Sequence, residues 1–516
     1  MSKRVLMADR IHITKRNFAS LIGYFDASGY QSIEIDHPVG LLTAFGYYAE
    51  QPDVMSCGEG LDDLGPQELF DLRLGGVRLF SIARLELMSR LVASPTWMAY
   101  DSYGSNERAL FDRIYETDRD ALFENLAAAR FWCERWRKIL LETPPVNVAL
   151  VFSGCLIYAR AFAEIMQRRQ GVLYICESFF TGRDYYLEPR HSPLPNQSLL
   201  KTPGRYAMLK IPESGPARRG RRLVMQKLLA ERKNKNVQQQ TGSQQRIFPP
   251  SKKVVVILGQ VLNDFSLLNT GSTGVHSLAF YRKCIATLLD QTDATIIFKA
   301  HPWEQKKANL NGRVTYDALV SEFGSMEERI KFVEDYPIDD LFLEADFAIG
   351  LNTQSLLEAA LAGIKPIQAG EAFYGKKGFT YDVAGVDEIA AIVNSRRSAC
   401  LSVAEFADYE SFMMKALLQW FIPEAPAQGI ERVAEILGPI PVNASKSQSS
   451  KTAQPKTAPK VASKPGLSAP AAPTPVATSS SNGSIAQRKL QKLRRTPRAF
   501  FRDSGSPVLK ALGKLF

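Results

Sequence analysis

A chain of 516 residues exceeds what one hydrophobic core supports, about 250–300 residues, so two domains and a tail are expected. With 45% hydrophobic and 23% charged residues, no run of about 18 apolar residues and no apolar leader in MSKRVLMADR, it reads as a cytoplasmic globular protein without a membrane span. The net charge of +11 suggests nucleic acid only until it is located: from Pro441 onward 14 Lys and Arg meet one acid, Asp503, so the tail carries +13 and the preceding residues sum to −2.

Taken in order, RVLMA (4–8) reads as a first strand, a helix follows through Phe18 to Tyr24, and a second strand covers Ser32 to Ile35 before His37-Pro38. Apolar residues recur at helical spacing from Pro66 to Val92 and from Asp118 to Leu141. Trp97, Trp132 and Trp136 fit core packing better than a sugar platform. Strand, helix and strand then follow between Asn147 and Glu177, the length of a βαβ unit. A polar, aromatic and proline-rich stretch runs on to Ser198, a loop of the functional kind. A Gln/Asn/Gly/Ser linker marks the domain boundary, giving domains at 1–233 and 251–440 joined by 234–250. Closing helices of the second domain are expected at Glu405 to Trp420 and Gln428 to Leu437. Residues 441–484 read as a disordered linker, and 485–516, with nine Lys/Arg among Leu and Phe, as a basic amphipathic segment for an anionic membrane surface.

Six scattered cysteines and only five histidines indicate neither a disulfide framework nor a metal site. The chemistry gathers instead after the strands of 251–380. Thr295 to Ala300 is a β-branched strand that Pro302 stops, fixing His301 at its end, where an imidazole N–H can meet a phosphate. Lys299 points to the opposite face and reads as solvated, while Glu304 is placed to orient the histidine. His37, with fewer polar partners after it, reads as structural. In FAIGLNTQSLLEAALAG, Asn352 or Thr353 is a helix N-cap and Gly363 ends the helix. Its first N–H groups, with Asn352, Thr353, Gln354 and Ser355, would bind phosphate, or these residues would simply cap, and Glu358, one turn on, would accept from a ribose or be an exposed helix residue. Gln260 and Asp264 follow VVVIL. Asp264 has two open readings, a nucleophile or base at a sugar carbon, or a turn-former with Asn263.

Gln260/Asp264, His301-Pro302-Trp303-Glu304, Asn352 to Gly363 and Gly370-Glu371-Ala372-Phe373-Tyr374, in this order, resemble the bacterial capsule polysaccharide synthesis family, which includes Kdo transferases. In the first domain Glu177, Tyr185-Tyr186-Leu187-Glu188 and Asn196-Gln197-Ser198 are similar to further motifs of that family. Leu194-Pro195-Asn196 stands where the family has Gly-Val-Asn, and Gly378-Phe379-Thr380 where it has Gly-Leu-Thr.

The resemblance implies an α/β, GT-B-like fold of two facing Rossmann-like domains with parallel sheets, acceptor on the first and nucleotide-sugar on the second. It implies a metal-independent glycosyltransferase without cofactor, using a CMP-activated donor such as CMP-Kdo. Asp264 would be the nucleophile and Glu177 the acid/base, with Gln260, His301, Pro302, Glu304, Asn352, Thr353, Gln354, Ser355 and Glu358 on the donor and Tyr185, Glu188 and Asn196 on a lipid or glycan acceptor. Such an enzyme would sit at the inner face of the cytoplasmic membrane, with other capsule assembly proteins as partners and no nucleic acid. A CMP-releasing polyglycerophosphate transferase and a non-catalytic polysaccharide-binding or export component are the alternative functions.

Overall fold

Short runs of aliphatic and β-branched residues build two sheets, and the computed structural model describes residues 3–169, 171–211, 215–229, 245–307, 310, 312–395 and 399–439. The expected segments 441–484 and 485–516, and most of the linker at 234–250, lie outside the described residues.

In chain order, β1 (Arg4–Met7) and β2 (Gln31–Ile33) come first. A hairpin, β3 (Arg73–Leu74) and β4 (Val77–Arg78), then interrupts the stretch expected to be helical from Pro66 to Val92. Gly75 and Gly76 make that turn at φ of +61° and +82°, a conformation glycine takes without steric cost. β5 (Val148–Phe152), β6 (Leu173–Ser178) and β7 (Asp184–Pro189) follow. The second sheet consists of β8 (Val254–Leu258), β9 (Thr295–Lys299), β10 (Ile330–Val333), β11 (Phe347–Gly350), β12 (Ile367–Gln368) and β13 (Tyr381–Asp382).

That second sheet is parallel throughout, in the order β10-β9-β8-β11-β12-β13, with Val255 opposite both Ile296 and Phe347. VVVIL is apolar without alternation because side chains on both faces of the strand are buried. The first sheet has the order β14-β7-β6-β5-β1-β2, where β14 is Ile422–Pro423. It is parallel from β2 to β6, but β7 runs antiparallel to both its neighbours. The expected loop from Glu177 to Ser198 is therefore largely a hairpin arm. Two Rossmann-like α/β halves, each presenting strand carboxyl ends to one cleft, make the architecture GT-B-like.

The long helix Arg119–Glu142 packs on Leu79–Leu91 and Ile157–Arg168, burying Trp132 and Trp136 in the main core with Trp97. His37 meets Trp132 and Trp136 edge-on at 5.1 and 5.0 Å and accepts from Arg135 Nε at 3.2 Å. Burial, with Arg135 adding to it, pushes its pKa down to about 4, so the structural reading of His37 fits its surroundings.

The end of the described chain departs from the expected 251–440 domain. Helix Pro426–Leu437 packs on Ala19–Ala27, not on the second sheet. Ser20 Oγ donates to Pro423 O at 2.7 Å and Ser20 N to Glu424 O at 3.0 Å. A Cβ at Gly429 would lie 2.0 Å from Pro423 O and 2.4 Å from Ser20, so only glycine permits the approach. The helical periodicity of 428–437 was readable, but which sheet its apolar face would cover was not.

Candidate active site

A cleft of about 680 Å³ opens between the carboxyl ends of strands from both sheets, the place where open α/β sheets bind ligands. Glu177, Asn196, Gln260, Asp264, His301, Pro302, Asn352, Thr353, Gln354, Ser355 and Glu358 all line it. Tyr185, Glu188 and Glu304 do not.

Behind Asp264 the loop after β8 is tied to the loop after β11. Gln260 Nε2 donates to Asn352 Oδ1 at 2.8 Å, Asn352 N donates to Gln260 Oε1 at 3.1 Å, and Asn352 Nδ2 donates to Ser266 O at 3.0 Å. Asn352 is thus a brace and not the expected N-cap; the short helix Ser355–Leu361 starts after Gln354, with Thr353 Oγ1 accepting from Ser355 N at 3.3 Å. Gly363 does end the helix region, at φ +88°. Asp264 caps the turn Phe265–Leu268 by accepting from Ser266 N at 2.8 Å, and also lines the cleft. Turn-forming and cleft placement coexist in one side chain.

At the end of β9, Trp303 N donates to His301 Nδ1 at 3.2 Å, which leaves the proton of the neutral ring on Nε2. Desolvation pushes the His301 pKa down to about 4; Lys299 and Lys307 add to the fall while Asp264 opposes it. Lys299 is not solvated. It is buried, its Nζ donates to Ala300 O at 3.3 Å and to Glu334 O, and burial lowers its pKa to about 8. Lys307, absent from the sequence expectations, lines the cleft with Nζ 2.6 Å from Asn263 Oδ1. Its pKa is lowered by burial, against the pull of Asp264 and Glu304.

Glu304 does not orient His301. Its Oε1 accepts from Leu262 N at 3.1 Å and Thr315 Oγ1 at 2.7 Å, and its Oε2 from Thr315 N at 3.0 Å, fastening the β8 and β9 loops to the helix Val314–Phe323. Glu304→Ala orphans two buried backbone donors and should lower the unfolding free energy by about 2–5 kcal/mol, measured by urea denaturation. A loss below about 0.5 kcal/mol would count against this bracing role.

On the first-sheet wall the pleat of β7 separates adjacent residues. Tyr186 lines the cleft, whereas Tyr185 turns to the opposite face and bonds Ser20 Oγ at 2.8 Å. Glu188 is fully buried, accepting from Ser198 Oγ at 2.5 Å, Leu199 N at 3.0 Å and Trp420 Nε1 at 3.0 Å, so it shapes the wall without meeting a ligand. Asn196, at φ +57°, bridges the halves: Nδ2 donates to Glu371 O at 3.2 Å and Oδ1 accepts from Phe373 N at 3.0 Å. Phe180 N donates to Gln354 Oε1 at 2.9 Å in a second bridge. Asn196→Gly keeps the left-handed backbone but loses the clasp, and Asn196→Ala loses both. Alanine should therefore unfold at lower urea than glycine, by about 1 kcal/mol of stability; equal midpoints would contradict the strained-backbone account.

The loop after β1 supplies residues that motif reading missed. Buried Asp9 accepts from His12 Nδ1 at 3.2 Å, from His12 N at 2.8 Å and from Tyr158 OH at 2.8 Å. The His12 ring stacks on Phe152 at 4.9 Å and lines the cleft. A polar pair just beyond the strand RVLMA was the available signal.

Among the described residues no group of three or more His, Cys, Asp or Glu is placed to hold a metal, and no helix is long and apolar enough to cross a membrane.

Residues 216–419, 204 of 516, match the family described as capsule polysaccharide biosynthesis protein. That stretch contains the expected donor-side motifs and leaves Glu177, Tyr185, Glu188 and Asn196 outside it. Among solved structures the chain is similar to a β-Kdo 2,4-transferase of Thermosulfurimonas dismutans KpsC, at 18% identity and TM-score 0.39 over 59% of this chain and 93% of that one. The β-Kdo 2,7-transferase of the same organism's KpsC gives 16% identity and TM-score 0.35 over 59% and 88%. A UDP-GlcNAc 2-epimerase from Methanocaldococcus jannaschii gives 11% and 0.26 over 84% and 99%. At these TM-scores the likenesses add nothing to the geometry. No curated protein matches the sequence.

Proposed function

We propose that this chain, which matches the capsule polysaccharide biosynthesis family over residues 216–419, is a glycosyltransferase that moves Kdo or a related sugar from a CMP-activated donor to a lipid or glycan acceptor. One observation carries the reading. The two-sheet cleft sets two cations, Lys299 and Lys307, and the neutral imidazole of His301 beside the carboxylate of Asp264, with Glu177 also lining it. Such an arrangement suits the phosphate of a nucleotide-sugar, whose charge grows as the sugar leaves, and fixed donors aimed at developing charge are the strongest source of catalysis. The His301 Nε2–H donates to the phosphate, Thr353 and Ser355 add hydrogen bonds, and Glu358 accepts from the ribose. Asp264 attacks the anomeric carbon, and the acceptor enters along the first-sheet wall where Glu177 stands. No metal or cofactor is needed in this scheme. Segment 485–516 would hold the enzyme at the inner face of the cytoplasmic membrane, beside its lipid acceptor and other capsule assembly proteins.

Purified protein offered CMP-Kdo or CMP-glycerol with a Kdo-terminated synthetic lipid is expected to release CMP from CMP-Kdo. Release from CMP-glycerol alone would make it a polyglycerophosphate transferase. Release from neither, with no CMP binding, would leave a non-catalytic component.

A further inference from the structure

The pair formed by His12 and Asp9 lies across the cleft from no known motif, yet it is built as an oriented base. Asp9 closes the end of β1, 2% exposed, and its carboxylate collects the N–H groups of Ile11 and His12 at 3.0 and 2.8 Å, the His12 ring at 3.2 Å and the Tyr158 hydroxyl at 2.8 Å. A carboxylate with these donors stays ionised: burial raises its pKa, but the bonds from His12 and Tyr158 bring it below the ordinary value. The His12 side chain keeps 24% of its surface exposed while that of Asp9 keeps none, so the imidazole alone meets the cleft. Stacking on Phe152 at 4.9 Å and 9° fixes the ring plane. With Nδ1–H donated to Asp9, the lone pair of the neutral ring is on Nε2, across the ring from the carboxylate. A histidine needed only for packing requires neither a buried carboxylate nor an edge in the cleft.

We propose that His12, oriented by Asp9, is the general base that takes the proton of the acceptor hydroxyl, in the role the sequence left with Glu177. This rests on the glycosyltransferase reading above. The acceptor O–H bond breaks and its proton goes to Nε2. The oxygen's electron pair forms the bond to the anomeric carbon, and the bond from that carbon to its leaving oxygen, on CMP or on the Asp264 carboxylate, breaks with its electrons on that oxygen. The imidazolium then returns its proton to water. Asp9 is a positioning residue, holding the tautomer and countering the imidazolium charge.

The test uses the full chain with CMP-Kdo, the Kdo-terminated lipid, and CMP binding by calorimetry as a check on fold and donor site. His12→Phe, which keeps the stack, and His12→Ala should each lower kcat for transfer by about 10²–10⁴-fold with CMP affinity unchanged. Added imidazole should restore part of the rate to His12→Ala and none to His12→Phe, whose ring fills the space. Asp9→Asn should lower kcat with the acceptor KM unchanged. Wild-type transfer rates in both His12 variants, or a loss in His12→Ala that imidazole leaves unrestored, would overturn the assignment. A wild-type protein that neither binds CMP nor releases it from CMP-Kdo would overturn the glycosyltransferase reading and this one with it.

Discussion

Asp264→Asn should cut CMP release from CMP-Kdo on the order of 10⁴-fold, as loss of a group acting at the reacting carbon does. The substitution is clean because an asparagine Oδ1 can still accept from Ser266 N, the bond that holds the turn Phe265–Leu268. The brace between Gln260 and Asn352 lies beside it and remains. CMP affinity should therefore persist while turnover disappears. Rapid quenching of the wild-type reaction followed by peptide mass spectrometry should find the sugar on Asp264. Near-normal turnover in Asp264→Asn would reduce the residue to a turn cap and move the nucleophile elsewhere.

His301→Ala should lower kcat/KM for CMP-Kdo by about 10²–10³-fold, the range for removing one donor to a developing oxyanion. Its pH signature separates binding from folding. In the free cleft His301 titrates near 4, below the ordinary 6.5, chiefly because it is desolvated. A bound phosphate favours the imidazolium and raises that value, so donor binding takes up a proton and KM should fall as pH is lowered. The phosphodiester of CMP-Kdo keeps one charge over this range and the titrations of its cytosine ring and sugar carboxylate are common to both proteins, so the His301 contribution is the part of the slope that His301→Gln should remove. Folding has the opposite sign: a depressed histidine favours the folded chain above pH 6.5, and this contribution is lost as pH falls through about 4. Urea midpoints of wild type should drop across that window more than those of His301→Gln. A KM slope identical in the two proteins would remove His301 from the phosphate site.

What could be read in advance follows the range of the interactions involved. VVVIL, TIIFK and FAIG announce buried parallel strands because both faces are covered, and a polar residue after such a strand falls at the ligand edge by topology alone. His301, Asp264 and Thr353 were legible for that reason. Glu304 was not, since its partners Leu262 and Thr315 come from other loops. The choice between Tyr185 and Tyr186 depends on the register of β7, where a shift of one residue exchanges the faces, and nothing in YYLE fixes that register. Lys299 and Lys307 needed three-dimensional neighbours: the Glu334 carbonyl for one, Asn263 for the other. Asp9 and His12 are three residues apart, but the tyrosine that completes their arrangement is Tyr158.

The return of Ile422–Pro423 and Pro426–Leu437 to the first sheet bears on how the protein is made. The ribosome delivers β1 first, yet the strand beside β7 and the helix covering Ala19–Ala27 emerge only after the whole second sheet has been synthesised. Until then the Asp184–Pro189 edge and the apolar face of that first helix are bare, an open edge of the kind that invites pairing with another chain. A released chain ending before residue 422 is therefore expected to need a chaperone that one ending after residue 439 does not.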